Sequence, residues 1–257
     1  MFNTDILSQI YLGFVSIVSN FISALSGGGA GLLQLPALLF FGLPFSNALA
    51  THKVASVAMG IGASIAHLRI NTLQRKYVLL ILISGIPGVL LGAYTSSIVP
   101  SDLSSILLGF LTLFLSLYSI SNKSLGSQTQ RISISKLRIF VGSLGLFLFG
   151  FLNGYLSSGT GLFVTIWMIT IFNISFSVAV AYTLILVGIF WNGVGALSLG
   201  LTGNIIWNYI PILILGSLVG GYLGANFSII KGSNFIKAVF EIVSLSVGIS
   251  LLVKAFL

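Results

Sequence analysis

Eight apolar segments, each about 20 residues long, recur along this chain and are separated by short loops. A helix needs about 20 apolar residues to cross the hydrocarbon core of a bilayer. The segments are continuous rather than alternating, which favours helices over the strands of a membrane barrel. The pattern therefore predicts an all-α polytopic membrane protein. The segments are roughly residues 6–26, 46–68, 77–95, 102–120, 138–157, 176–198, 209–227 and 234–256.

The composition excludes a soluble domain. Only 5% of the residues are charged and 56% are hydrophobic, whereas about 25% of an ordinary soluble domain is charged. The net charge of +8 comes without the basic face or aromatic platform that nucleic-acid binding requires. We therefore expect the lipid bilayer, and no nucleic acid, as a partner.

The two halves of the chain resemble each other at an offset of about 131 residues. Residues 29–32 (GAGL) match residues 159–162 (GTGL), and several further small-residue matches follow in the same order. Ordered matches at a nearly constant offset indicate a duplication. We expect a first transmembrane repeat over 1–120, a polar cytoplasmic linker over 121–136 and a second transmembrane repeat over 137–257.

The loop charges predict opposite orientations for the two repeats. Loop 69–77 carries three basic residues, whereas its counterpart 199–208 carries no charge. Loop 95–101 has no basic residue, whereas its counterpart 228–237 has two lysines. Basic loops stay in the cytoplasm, so the repeats are expected to have inverted topology. Both termini are then periplasmic or extracellular.

Two shorter apolar segments, 31–43 and 161–172, each follow a glycine-rich break, at residues 27–31 and 159–161. Each repeat is thus expected to have five helical segments, including a hairpin with a short half-helix. A half-helix that begins after such a break points free N–H groups into a cavity, which suits an anion at the membrane midplane. The alternative is that the glycines only permit tight turns or close packing.

A histidine and a lysine stand early in an otherwise apolar segment, in Thr51-His52-Lys53. A charged residue at the middle of a membrane costs at least ~2.5–3.5 kcal/mol, so Lys53 is a candidate counter-ion for an anionic substrate. The alternative is that Lys53 reaches the outer interface. His52 is interpreted either as a proton relay or substrate ligand, or as a hydrogen-bonded interior residue.

The remaining polar residues within the segments allow simpler interpretations. Glu241 either pairs with Lys237, four positions earlier, or binds a coupling proton, and we favour the ion pair. Asp102 suits the start of a helix, and His67 is interpreted as structural. Polar residues of the second half that could contact a substrate are Asn153, Tyr182, Thr183 and Asn192.

Glycines four residues apart occur in both halves, at Gly88 and Gly92 and at Gly216, Gly220 and Gly224. Such GxxxG patterns let two helices approach closely. We expect close contact either within the chain or in a homodimer built on these faces.

Two motifs resemble those of a known family. Residues 26–39 (SGGGAGLLQLPALL), then 42–44 (GLP) and 48–53 (ALATHK), resemble the signature of the TauE/SafE sulfite-exporter permeases, roughly GGGGLLxxPaLLxxGxPPxxALATNKL. Residues 153–161 (NGYLSSGTG) resemble that family's YDGFFGPGTGSF. The resemblance covers essentially the whole chain. It implies secondary transport of small sulfur-containing or organic anions, such as sulfite, sulfonates or sulfoacetate, across the bacterial inner membrane.

This chain departs from the family pattern at several positions. His52 replaces the usual Asn, Asn153 replaces the usual Asp, and serines at 157 and 158 replace Gly-Pro. Residues 182–184 (YTL) stand where a histidine and a basic residue are common. The candidate substrate-binding residues are Gly28, Gly29, Gln34, Thr51, His52, Lys53, Asn153, Ser157, Ser158, Thr160, Tyr182 and Asn192.

The leading hypothesis is an anion transporter, expected to act as an exporter, that works by alternating access around a midplane site. The alternatives are an anion channel or a transporter of another small metabolite. The sequence shows no catalytic motif and no nucleotide-binding loop. We therefore expect no enzymatic activity, no cofactor and no metal.

Overall fold

The structure, a computed structural model, describes residues 6–28, 30–67, 73–96, 101–126, 135–157, 159–202 and 204–256. Within these ranges every regular element is helical, which confirms the predicted all-α class. The helices are α1 (Ile6–Ser26), α2 (Gln34–Phe40), α3 (Phe45–His67), α4 (Arg75–Thr95), α5 (Ser101–Ser121), α6 (Lys136–Leu156), α7 (Thr160–Phe172), α8 (Phe176–Gly200) and α9 (Ile210–Phe256).

Six helical stretches among the described residues are long and apolar enough to cross a membrane. The last of them, Trp207–Ser250, has 44 residues, or roughly 66 Å at 1.5 Å per residue, about twice the hydrocarbon thickness. Gly232, with a φ of 77°, divides α9 into a first arm (210–231) and a second arm (233–256). The predicted loop over 228–237 is therefore wrong: a single glycine makes the break, because it tolerates left-handed backbone.

Glycines bring two pairs of helices into backbone contact. A Cβ atom added to Gly220, in the first arm of α9, would lie 2.4 Å from the oxygen of Ile17 in α1. A Cβ atom added to Gly88, in α4, would lie 2.2 Å from the oxygen of Phe147 in α6. The GxxxG faces are thus used for packing within the chain. The homodimer stays a prediction, and it would need another surface.

Helices α3 and α8 form the centre of the bundle and cross in opposite directions. A Cβ atom added to Gly60 of α3 would lie 2.8 Å from the main chain of Gly188 in α8. One added to Gly195, further along α8, would lie 2.8 Å from the side chain of Lys53, earlier in α3. These two helices are mostly buried within the chain, whereas large hydrophobic residues are exposed on the outer helices.

The two short helices begin differently. Helix α7 starts at Thr160, directly after Gly159 and one residue before the predicted segment 161–172. In the first half a 3₁₀ turn (Ala30–Leu32) follows the break, and α2 starts only at Gln34. The expectation of a half-helix directly after this break is therefore wrong. Pro36 lies in the first turn of α2, where proline costs no intrahelical hydrogen bond, so it suits a helix that starts at Gln34 better than one that starts at Gly31.

Candidate functional site

The two glycine breaks meet in the middle of the bundle. A Cβ atom added to Gly28 would lie 2.5 Å from the Cα atom of Gly161, so the two main chains are in direct contact. Gly28 also has a φ of 128°, which side-chain-bearing residues rarely adopt. Thr165 of α7 reinforces the contact, because its hydroxyl donates to the Gly27 oxygen at 2.8 Å. The break in one half is thereby held against the break in the other.

A small cavity of about 30 Å³ lies beside this contact. A space of that size accommodates one or two water molecules. Polar and small residues of both halves surround it. The lining residues are Ser23, Gly28, Ala30, Gly31, His52, Ser56, Met59, Asn153, Ser157, Thr160, Gly161, Thr183, Leu184, Val187, Gly188 and Asn192.

Lys53 lies directly behind two of the lining residues. Its side chain is completely buried, with 0% exposure. Its Nζ donates to the main-chain oxygen of Asn153 at 2.7 Å, to Asn153 Oδ1 at 3.2 Å and to Asn192 Oδ1 at 3.4 Å. The ammonium thus has three oxygen partners inside the bundle. The alternative that Lys53 reaches the outer interface is wrong.

The charge of Lys53 is not compensated by an acid among the described side chains. Among the described side chains, an ion pair joins Lys237 to Glu241 at 3.8 Å. Glu241 also accepts a hydrogen bond from Ser119 at 2.8 Å. This arrangement agrees with the favoured interpretation of Glu241 as an ordinary ion pair. Lys53 instead faces the neutral oxygens of Asn153 and Asn192, and a buried charge without an opposite charge favours an anion nearby.

Asn153 connects the ammonium with the start of α7. It lies in the last turn of α6, where main-chain oxygens carry partial negative charge. Its Nδ2 donates to Thr160 Oγ1 at 3.0 Å and to Asn192 Oδ1 at 3.3 Å. Thr160 in turn donates to the oxygen of Ser157 at 3.1 Å. The N-terminal turn of α7 therefore lies at the cavity.

His52 belongs to a buried chain of hydrogen bonds. Its Nε2 lies 3.1 Å from the hydroxyl of Ser56, and its Nδ1 lies 2.7 Å from Gln34 Oε1. Gln34 Nε2 donates to the hydroxyl of Ser16 at 2.9 Å, and Ser16 lies 3.0 Å from the hydroxyl of Ser217. Gln34 therefore does not line the cavity but fixes the orientation of His52, which does.

Two features at the cavity are not evident from the sequence. The hydroxyl of Ser23 is buried and has no hydrogen-bond partner among the described residues. Residues Thr183–Trp191 of α8 form a π-helical segment, whose wider turns bring Thr183 and Gly188 to the cavity. Such segments are often found at functional sites. Apart from Thr183 the segment is apolar, and it would fit an α-helix equally well.

Some predicted residues lie away from the cavity. The hydroxyl of Tyr182 accepts a hydrogen bond from the main-chain nitrogen of Gln74, at the start of α4. Successive helical residues point about 100° apart, so Thr183 reaches the cavity where Tyr182 does not. Thr51 accepts from the main-chain nitrogen of Ile206 at 3.0 Å, also outside the lining. Gly29 and Ser158 lie outside the described residues.

Comparison with known proteins agrees with this architecture. The family model described as Sulfite exporter TauE/SafE matches residues 12–251. A probable membrane transporter protein of Sinorhizobium is 30% identical over 94% of this chain and 91% of its own length. A probable membrane transporter protein of Haemophilus influenzae is 29% identical over 93% and 92%, and one of Escherichia coli, YfcA, is 27% identical over 93% and 88%. The chain therefore belongs to the TauE/SafE sulfite exporter family of membrane transporters.

Proposed function

We propose that the protein is a secondary transporter of small anions that binds its substrate in the cavity between the glycine breaks. The observation that carries this proposal is the completely buried ammonium of Lys53, which faces only neutral oxygens. Asn153 and Asn192 contact this ammonium and also line the cavity. Only one side chain would separate an anion in this cavity from the positive charge of Lys53. Little water is present there to screen the attraction.

The groups around the cavity suit an oxyanion. Main-chain N–H groups at the start of α7, the amide of Asn192 and the hydroxyl of Ser23 can all donate to its oxygens. Sulfite, sulfonates and sulfoacetate carry such oxygens on a compact group. The family description names sulfite export, which favours a sulfur oxyanion and outward transport. Sulfite, sulfoacetate and methanesulfonate are termed the anion panel below.

Alternating access between inverted repeats would open the cavity to each side in turn. Two observations support the inverted arrangement. Helix α3 and its counterpart α8 run in opposite directions. The close contact of Gly88 with Phe147 also corresponds to that of Gly220 with Ile17 in the other half. The small cavity supports an occluded state between the two open ones. The protein would lie in the bacterial inner membrane with both termini outside. Side-specific reporters fused to each terminus test this, since a cytoplasmic N-terminus contradicts the inverted arrangement as drawn.

Transport itself is tested in liposomes that contain the purified protein. Preloading the liposomes with unlabelled sulfite should accelerate entry of labelled sulfite, because a carrier exchanges substrate across the membrane. The same comparison with sulfoacetate and methanesulfonate extends the test to the anion panel. The membrane potential is held at zero with equal K⁺ on both sides and valinomycin, and under that condition an anion channel, the alternative function, would show no acceleration by internal substrate. Absence of flux for every panel member would contradict the proposed substrate class.

A further inference from the structure

A second cavity, of about 430 Å³, opens on the outer surface between α4 and α6. We call it the α4–α6 groove. It is mostly apolar and lies apart from the cavity between the glycine breaks, with which it shares no lining residue. Its lining residues are Lys76, Tyr77, Leu79, Leu80, Ile83, Ser84, Ile139, Ser143 and Phe172.

The groove lies on the N-terminal side of a close contact between the two helices. The second half of α4 packs directly against α6. A Cβ atom added to Gly88 would lie 2.2 Å from the main-chain oxygen of Phe147, and one added to Gly92 would lie 2.0 Å from that of Phe151. Both helices run in the same direction, so their N-terminal ends lie on the same side of the bundle. The rings of Tyr77 and Phe172, whose centres are 5.2 Å apart, line the groove on this side.

Positive charge concentrates at the open end of the groove. Helix α4 begins with Arg75 and Lys76, and α6 begins with Lys136 and, two residues later, Arg138. All four side chains are exposed. Lys76 lines the groove itself, and Lys136 precedes Ile139 by three positions, which places the two residues on one face of α6. The N-terminal dipoles of both helices add to this positive field.

We propose that the α4–α6 groove binds an anionic phospholipid, with an acyl chain along the groove and the phosphate between Lys76 and Lys136. The exposed side chains of Leu79, Ile83 and Ile139 open the groove towards the hydrocarbon, which is where an acyl chain would enter. Basic pockets between transmembrane helices at the cytoplasmic side are suited to anionic headgroups. The basic loops predict this side for the N-terminal ends of α4 and α6.

The structure gives neither lysine an acidic partner among the described side chains. Lys76 Nζ lies 4.7 Å from the ring centre of Tyr77, a contact that leaves its N–H groups available to phosphate. A soluble anion would use the charges but not the apolar groove, whereas a zwitterionic lipid would use the groove but gain less from the charges. The combination selects an anionic lipid over both.

Native mass spectrometry of the detergent-purified protein tests the proposal. Phosphatidylglycerol and phosphatidylcholine with identical chains are added in equal amounts. We expect the wild type to prefer phosphatidylglycerol by at least about tenfold, since basic residues near the membrane surface attract an anionic headgroup. Lys76→Gln/Lys136→Gln should lose most of this preference. Lys123→Gln/Lys231→Gln, which removes two other exposed charges, should retain it.

Two further measurements locate the lipid. Ser143→Trp fills the groove and leaves both lysines in place, so lipid binding should fall although the charge is unchanged. Inorganic phosphate at millimolar concentration should not displace the lipid. The proposal is overturned if Lys76→Gln/Lys136→Gln keeps the wild-type preference, if both double variants lose it equally, if Ser143→Trp binds the lipid as wild type does, or if phosphate displaces the lipid completely.

Discussion

The ammonium of Lys53 in α3 lies 2.7 Å from the main-chain oxygen of Asn153, in the last turn of α6. The two residues are 100 positions apart and belong to different halves of the chain. Their contact joins the halves at the point where the glycine breaks meet. It also places a buried positive charge directly behind the cavity that Asn153 lines.

Asn153→Asp should weaken anion binding by at least about tenfold. A carboxylate at this position would form an ion pair with Lys53 and oppose a second negative charge in the cavity. Binding of the anion panel is measured by thermal-shift titration in detergent. Asn122→Asp, which adds the same charge at an exposed helix end, is the matched control and should leave affinity unchanged. Equal affinity of Asn153→Asp and wild type would count against the site.

Gly28→Ala should destabilise the protein by about 2 kcal/mol or more. The added Cβ would collide with Gly161, and alanine is strained at a φ of 128°. Gly193→Ala is the control, because its Cβ would meet Val57 at an ordinary 3.9 Å. Unfolding is followed by loss of monodispersity on heating in detergent. If both variants unfold at the same temperature, the two breaks do not pack as described.

Gln34→Leu should cost about 1–3 kcal/mol, because His52 and Ser16 each lose a buried hydrogen-bond partner. Gln9→Leu removes an exposed contact to Asn208 and should change stability by about 0.5 kcal/mol or less. Equilibrium unfolding in mixed micelles compares the two variants. A similarly small effect of Gln34→Leu would show that the buried network contributes little.

Glu241→Gln should leave anion flux within about twofold of wild type. Its carboxylate pairs with Lys237 at a partly exposed site, and such pairs contribute about 1 kcal/mol or less. The hydrogen bond from Ser119 can persist to the amide oxygen. Flux into liposomes is measured with and without a proton gradient. Loss of a gradient effect in this variant alone would identify Glu241 as a coupling residue instead.

The helices were predictable because length and hydropathy are local properties. Nearly all the predicted segments correspond to helices whose ends differ by only a few residues. The start of α2 differs from the prediction, although Pro36 offered a signal, since the first turn of a helix accommodates proline most easily. The π-helical segment at Thr183–Trp191 has no such signal, because its residues suit an α-helix equally well.

The site was predictable where a charged residue interrupts an apolar segment. Lys53 was identified because a charge interrupts an apolar helix. Its partners were not, because Asn192 lies 139 positions away and only the fold brings the two together. Tyr182 was predicted at the cavity because it is a polar residue within an apolar segment. The side of α8 on which it lies depends on packing, and its hydroxyl contacts Gln74 instead. Ser23 and Ser56 resemble many other membrane serines, so sequence alone did not distinguish them.

The affinity of Lys53→Gln for the anion panel tests the central claim most directly. Glutamine can still donate a hydrogen bond towards Asn153 but carries no charge, so the comparison isolates the electrostatic contribution. We predict that the panel member bound most tightly by wild type binds this variant at least about tenfold more weakly, whereas Lys76→Gln changes its affinity little. Equal dissociation constants for wild type and Lys53→Gln would contradict the account.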